Sequence, residues 1–299
     1  LIVPQQESVQ YLQFDHYQQF PELIHGIFTR AGGYSESPYA SLNTSKLGDT
    51  IENVARNRQR ALETLNIMTY PGVTLWQVHG ADVITLDLRE EWRTDWAHRS
   101  YYEPGWTPQS IRKGDALISQ ERGTAMAFSF ADCVPITLYD PVQHVIGIAH
   151  GGWRGTARGI VMATVEAMRA HFSSLAQNIY AGIGPAIGAC CYEISQEVHD
   201  LFTGKRIFSE QPTREDYQSK VSEAAVFSTQ QLADKTSLRI DLQATNRNQL
   251  ITAGVQLAHI EVMTICTGCN TDLFFSHRKE QGKTGRFAVI MALNRRTCH

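Results

Sequence analysis

Residues 125–161, A-M-A-F-S-F-A-D-C-V-P-I-T-L-Y-D-P-V-Q-H-V-I-G-I-A-H-G-G-W-R-G-T-A-R-G-I-V, constrain this chain more than any other stretch. Three apolar runs, at 125–130, 134–139 and 145–149, have strand length and are bounded by turn residues, Asp140-Pro141 among them. A helix is predicted after the glycines, over 155–172. Cys133 falls at the bend between two of these strands, and His150 falls just past the third. A thiolate and an imidazole at adjacent strand ends offer either a metal site or a Cys–His dyad.

The chain of 299 residues is long enough to bury a large core in one or two domains. Its 42% apolar and 19% charged residues are those of a globular protein. A formal net charge of -3 gives no electrostatic footprint for nucleic acid. No run approaches the roughly 18 apolar residues of a membrane helix. The first ten residues, L-I-V-P-Q-Q-E-S-V-Q, have neither a basic start nor a sustained apolar core, so no secretory signal is expected there. Six cysteines in a chain this long, with Cys190 and Cys191 adjacent, do not read as a disulfide framework. A reducing, cytoplasmic setting is expected, with Cys190 and Cys191 as small buried residues.

Further strands are predicted over 24–30, 73–78, 83–88, 114–119, 178–183, 259–266 and 287–293. A helix is predicted over 50–65, and strand then helix over 239–257, with Gly254 as a stop signal. Residues 203–222 show no period and read as a loop or weak helix. Residues 89–113 interrupt the pattern with a polar insertion that carries Trp92, Trp96 and Trp106. It reads either as a lid or subunit contact, or as an aromatic-anchored surface excursion. With no internal repeat or interdomain linker, one domain of mixed α/β type is expected.

His79, beside Gly80 at a junction between strands, is free to point into a cleft. Together with Cys133 and His150 it would leave a tetrahedral Zn²⁺ one open position, the layout of a catalytic rather than a structural site. Such an ion lowers the pKa of bound water to roughly 7, and Asp132 and Arg154 adjoin to handle protons or anionic charge. Without metal, Cys133 as nucleophile and His150 as base would make a cysteine hydrolase. The two schemes differ in His79, which a dyad does not use. Cu²⁺ competes for any such N/S site, yet the chain has no His-x-His pair of the kind a blue multicopper oxidase requires. His259-Ile260-Glu261 followed by Cys266 and Cys269 imitates the H-x-E…P-C-x-x-C pattern of nucleobase deaminases. It lacks the Pro and its spacing is short, so Cys266 and Cys269 read as ordinary thiols.

The chain also resembles a known family. T-R-A-G-G-Y-S (29–35), S-L-N (41–43), N-V-A-R-N-R (53–58), W-Q-V-H-G-A-D-V (76–83) and G-D-A-L-I-S (114–119) carry the likeness. So do A-D-C-V-P-I-T-L-Y-D-P (131–141), A-H-G-G-W-R-G-T (149–156), G-I-G-P-A-I-G-A-C-C-Y-E-I (182–194), D-L-Q-A-T-N-R-N-Q-L (241–250) and S-H-R-K-E-Q-G-K-T-G-R-F-A (276–288). In this order they resemble the YfiH-like family, also labelled laccase-domain or polyphenol oxidase proteins and viewed as purine nucleoside enzymes. The resemblance implies a single-domain α/β/β/α sandwich with metal ligands at His79, Cys133 and His150. It implies phosphorolysis of adenosine, inosine, guanosine or methylthioadenosine and deamination of adenosine to inosine, whereas the older label implies copper-dependent oxidation of phenols.

Within that scheme Arg58 and Arg154 are candidate phosphate contacts, because Arg binds phosphate bidentately. Asn43 and Asp132 are candidate polar or proton-handling groups. The expected partners are small molecules, namely purine nucleosides, phosphate or phenols, with no nucleic acid or membrane. Three features depart from the family pattern: the 89–113 insertion, His277 where an aromatic is usual, and Cys269 as an extra thiol.

Overall fold

The computed structural model of the chain describes residues 8–86, 112–231 and 236–295. Apart from Arg112 and Lys113, the Trp-rich insertion lies outside the described residues, and with it the choice between a lid and a surface excursion. The apolar runs form two sheets. The first, in the order β1-β2-β13-β6-β3, joins β1 (Tyr11–Leu12), β2 (Leu23–Phe28), β3 (Gly72–Val73), β6 (Ala125–Phe130) and β13 (Phe287–Leu293). The second, in the order β12-β9-β7-β8-β5-β4, joins β4 (Val83–Thr85), β5 (Ala116–Ser119), β7 (Val134–Asp140), β8 (Val145–Gly151), β9 (Tyr180–Ile183) and β12 (Ile260–Val262). A separate hairpin pairs β10 (Phe227–Gln231) with β11 (Thr236–Ile240).

Strand periodicity explains the layering. Side chains alternate between faces, so β8 sends Ile146 and Ile148 towards Phe128, Phe130, Val289 and Met291 of the first sheet, in one buried cluster. Each buried Phe there contributes roughly 1.5–3 kcal/mol. The opposite face of β8, with Val145 and Ala149, packs with Ile136 and Leu138 against the helices α3 (Ile160–Phe172) and α6 (Leu242–Thr252). The outer face of the first sheet, with Phe28, Ala125, Ala127 and Ile290, is covered by Ala61 and Leu62 of α1 (Ile51–Thr64). The result is a mixed α+β fold with its layers in the order α/β/β/α. Shorter helices α2 (Trp153–Ala157), α4 (Gln196–Phe202) and α5 (Glu215–Ala224) complete it.

Capping follows the sequence at two starts: Thr50 accepts from the Asn53 amide (3.3 Å) to open α1, and Asp241 accepts from the Ala244 amide (2.9 Å) to open α6. Elsewhere the structure corrects the reading. The helix predicted over 155–172 is two helices, because Gly159 adopts φ +77°, and a Cβ there would lie 2.7 Å from Met162 and 2.8 Å from Tyr217. The strand predicted over 73–78 is split. Val73 pairs with β6 in the first sheet, whereas Trp76 bridges to Lys113 just ahead of β5, so the chain here crosses between sheets. The strands predicted over 83–88 and 259–266 shorten to β4 and β12, and 203–222 contains most of α5.

One buried group makes the fold acid-sensitive. His25 packs 4.9 Å from the Tyr17 ring, and its Nε2 accepts the Phe14 amide at 2.9 Å. Burial, helped by the His16 charge, holds its pKa down to about 3. The unfolded histidine titrates near 6.5, so as pH falls below that value only the unfolded chain gains the proton. The stability contributed by neutral His25 is complete above pH 6.5 and lost progressively as pH falls towards 3. At pH 5 the loss from this group is roughly 2 kcal/mol. Urea midpoints measured from pH 7 to pH 5 should fall accordingly, and His25→Gln should flatten that slope while lowering stability at pH 7.

Candidate metal centre

The site lies where β7 begins and β8 ends. Antiparallel pairing sets Pro135 opposite His150 and Val134 opposite Gly151, which brings Cys133, the residue before β7, beside His150. On the other side of β8, Ala149 pairs with Ala116 of β5, so Asp115 lies next to His150 and accepts its backbone N–H at 2.7 Å. His79 comes from the loop before β4. It adopts φ +61°, and Asp132, just ahead of Cys133, adopts φ +84°. Two non-glycine residues in the left-handed region flanking one centre mark backbone that the surroundings force into place.

The donor atoms of His79, Cys133 and His150 all lie within 4.8 Å of one another, and the two imidazole rings are 4.9 Å apart at 72°. Gly152 closes the floor. A Cβ at that position would meet Cys133 Sγ and His79 Cδ2 at 3.1 Å each, so any larger residue would crowd the donors. His150 is buried, Cys133 is half-buried and His79 is exposed, which leaves the centre open on the His79 side.

Asp115, fully buried, organises the donors. Its carboxylate accepts the amides of Val78 (3.2 Å), His79 (2.9 Å) and Gly80 (2.6 Å), and its Oδ1 lies 2.8 Å from His150 Nδ1. An ionised carboxylate only accepts, so Nδ1 carries the proton and Nε2 is left for a ligand. A carboxylate behind a ligating histidine is the usual support of a metal-bound imidazole. The motif G-D-A-L-I-S does not by itself predict this role. The signal was a lone acidic residue at the start of an otherwise apolar strand.

Electrostatics in the metal-free centre agree with the geometry. Burial opposes a Cys133 thiolate, but the His150 charge and hydrogen bonds from His150 and His79 outweigh it and bring the thiol down to about 6. Burial likewise opposes a charged His150, but Cys133 and the Asp115 hydrogen bond raise it to about 10. Between those values the pair is thiolate and imidazolium, and a metal entering at neutral pH would displace the His150 proton. These donors fit a borderline-soft ion with one coordination position open.

The remaining predicted residues are placed as follows. Asp132 is buried; its Oδ1 accepts the Thr267 and Ser276 hydroxyls at 2.7 Å each and its Oδ2 the Arg278 amide at 2.6 Å. Asn43 is buried and fixes its own loop, donating to Ser45 O and Asp49 Oδ2 at 2.8 Å and accepting the Arg286 amide at 2.8 Å. Arg58 is buried in α1 and donates through Nε and Nη2 to the Thr44 carbonyl (2.9 and 2.7 Å). Arg154 is exposed on α2, its guanidinium 4.3 Å from the centre of the Trp153 ring.

Arg286 was missed. Burial draws its guanidinium below the usual range, while the Cys133 and Asp132 charges pull it back. Its Nη2 lies 3.3 Å from His277 Nδ1. The visible signal was the basic turn ending in T-G-R. The deaminase-like pattern dissolves: His259 stacks on Tyr180 at 4.0 Å, and Glu261 accepts the amides of Asp15 and His16.

Together these features define a class: a four-layered α+β protein with an open His/Cys/His centre at the end of its second sheet. The family described as multi-copper polyphenol oxidoreductase laccase matches residues 24–294, and the chain belongs to this laccase-domain, YfiH-type family. It is 37% identical over 278 residues to a protein of Geobacillus stearothermophilus named purine nucleoside phosphorylase YlmD, covering 91% of this chain and 90% of that protein. It is 31% identical over 266 residues to purine nucleoside phosphorylase YfiH of Escherichia coli, covering 89% and 91%. The crystal structure of YlmD from Geobacillus stearothermophilus superposes with a TM-score of 0.79 and 32% identity, covering 98% of this chain and 99% of that one. No helix among the described residues is long and apolar enough to cross a membrane.

Proposed function

We propose that this chain is a zinc-dependent purine nucleoside phosphorylase that also deaminates adenosine, with His79, Cys133 and His150 as its metal ligands. The observation that carries the reading is the Asp115-supported trio of donors, with His79 exposed. The names of its relatives support the substrate class. The involvement of His79 favours a metal centre over a metal-free cysteine hydrolase, since its donor atom lies within 4.8 Å of those of Cys133 and His150, a placement a dyad does not use. When bound, zinc supplies positive charge and Lewis acidity.

The chain's own residues do the rest. Asp115 holds His150 in one tautomer and fixes the 78–80 loop. Asp132, with three donors on its carboxylate, sets the backbone that presents Cys133 and ties it to the Ser276–Arg278 turn. Phosphorolysis needs an anion held near the ribose C1′ and a proton delivered to purine N7. Arg154 and Arg286 are assigned to the anion, because guanidinium groups bind phosphate bidentately. Arg58 and Asn43 support this indirectly, by holding the Thr44 carbonyl and the Arg286 amide. Arg154→Ala is expected to raise the KM for phosphate about tenfold or more, the loss of one charge-assisted contact, with the KM for adenosine nearly unchanged. Unchanged phosphate saturation would remove Arg154 from the scheme.

The test uses protein produced without added copper and incubated with adenosine, with and without phosphate, followed by separation of adenine, inosine and hypoxanthine. Adenine that forms only with phosphate reports phosphorolysis, and inosine formed without phosphate reports deamination. Absence of all three products, or phenol oxidation that tracks copper content instead, would overturn the reading.

A further inference from the structure

Four cysteines that the proposed centre does not use converge at the edge of the second sheet. β9 and β12 are parallel neighbours, so the chain leaves both in the same direction, and the pairing continues past them through a bridge between Ala186 and Cys266. The loop after β9 carries Cys190 and Cys191, and the turn after β12 carries Cys266 and Cys269. Their four sulfurs lie within 4.8 Å of one another. Cys269 Sγ is 3.5 Å from Cys190 and 3.4 Å from Cys191, and those two are 4.0 Å apart. All four are free thiols, Cys190 and Cys269 exposed and Cys191 and Cys266 half-buried. This corrects the expectation that Cys190 and Cys191 are small buried residues. They sit on a loop at the sheet edge, facing another loop rather than the core.

We propose that Cys190, Cys191, Cys266 and Cys269 form a second, closed zinc site, structural in kind and separate from the His79–Cys133–His150 centre. A tetrahedral ion with Zn–S bonds of about 2.3 Å has sulfur–sulfur edges of about 3.8 Å; the three separations among Cys190, Cys191 and Cys269, 3.4 to 4.0 Å, bracket that value, and Cys266 Sγ lies within 4.8 Å of each. Four thiolates satisfy the ion and leave no position for water, which distinguishes this site from the open one. An all-sulfur tetrahedral set selects zinc among the common divalent ions.

The surroundings are built for it. Cys266 Sγ accepts the Gly188 amide at 3.2 Å, a hydrogen bond that favours the thiolate. Gly188 and Gly268 back the sulfurs closely. A Cβ on Gly268 would lie 3.2 Å from Cys191 Sγ, and one on Gly188 would lie 3.4 Å from Cys190 Sγ. Four thiolates around a dication carry a net charge of −2, and the Arg239 guanidinium lies against the loop, donating to the carbonyls of Ala189 (2.8 Å) and Cys190 (2.5 Å).

The site would also fasten the two loops that hold Asp132. Ile187, just before Gly188, donates its amide to the Asp132 carbonyl at 2.9 Å, and Thr267, between the two turn cysteines, donates to its carboxylate. An ion joining the loops would thus fix the residue that precedes Cys133.

Metal content and X-ray absorption test this directly. Full-length protein purified without added metal should hold two zinc ions per chain. The His79→Ala, His150→Ala double variant leaves all four cysteines intact, so it should retain one zinc surrounded by four sulfurs at about 2.3 Å. Cys266→Ser, Cys269→Ser should lose one equivalent and retain the other. Loss of all zinc from the double histidine variant would overturn the proposal. So would iron in place of zinc, or fewer than six titratable thiols in denatured, chelator-treated protein, since the sequence holds six cysteines.

Discussion

Cys133→Ser should lower purine nucleoside turnover by roughly a thousandfold or more, as expected when a member of a cooperating catalytic group is lost. The substitution keeps the size of the side chain but removes the only thiolate of the open centre. A serine hydroxyl stays protonated at neutral pH, so His79 and His150 would be left as two neutral donors without the anionic ligand. Bound zinc should fall by one equivalent per chain rather than to zero, because the cysteine cluster is untouched. Circular dichroism should be unchanged, since serine nearly matches cysteine in size at this half-buried position. Turnover near that of the parent protein would show that the centre is not where the chemistry occurs.

Asp115→Ala should combine a stability loss with a loss of metal affinity. Removing the carboxylate leaves three backbone amides, from Val78, His79 and Gly80, and the His150 Nδ1–H without their acceptor. Each buried donor left unpaired costs about 1–3 kcal/mol, and water entering the vacated volume would recover part of that. A net loss of about 3–5 kcal/mol is expected, as for breaking a buried charged pair. Freed from Asp115, His150 would no longer present Nε2 in a fixed tautomer, and metal affinity should fall about 10- to 100-fold. Urea denaturation reads the first quantity and chelator competition the second. Asp115→Asn separates them. It nearly preserves volume, but turns one acceptor into a donor facing the loop amides or His150, so it should weaken metal binding with a smaller stability loss.

The sequence made the strands easiest to read, because continuous apolar runs bounded by turns survive any tertiary context. β6, β7, β8 and β13 lie where the apolar runs predicted them, to within two residues. Local pattern was weaker where backbone conformation decided the outcome. Gly159 breaks a helix whose apolar spacing runs straight through it, and residues 73–78 look like one strand although they pass between sheets.

For the candidate site, Cys133, His150 and His79 were visible as reactive side chains at strand ends. Their convergence follows from the family resemblance and not from spacing, since it depends on the β7–β8 register and on the 78–80 loop folding onto Asp115. The same limit hid the cysteine cluster. Cys190-Cys191 and Cys266-Thr267-Gly268-Cys269 are far apart in the chain, and only the parallel pairing of β9 with β12 brings them together. Arg58 and Asn43, which their chemistry marks as phosphate and polar contacts, hold the Thr44 carbonyl and the Arg286 amide.

The proposed function places purine nucleoside chemistry at the open His/Cys/His centre. Phosphate-dependent release of adenine from adenosine, measured for the parent protein and for His79→Ala together with zinc content, tests it most directly. Adenine is expected from the parent protein only when phosphate is present, and none above background from His79→Ala, which should have lost one zinc ion and kept one. His79→Ala protein that lacks that ion yet still cleaves adenosine at the parent rate would contradict it.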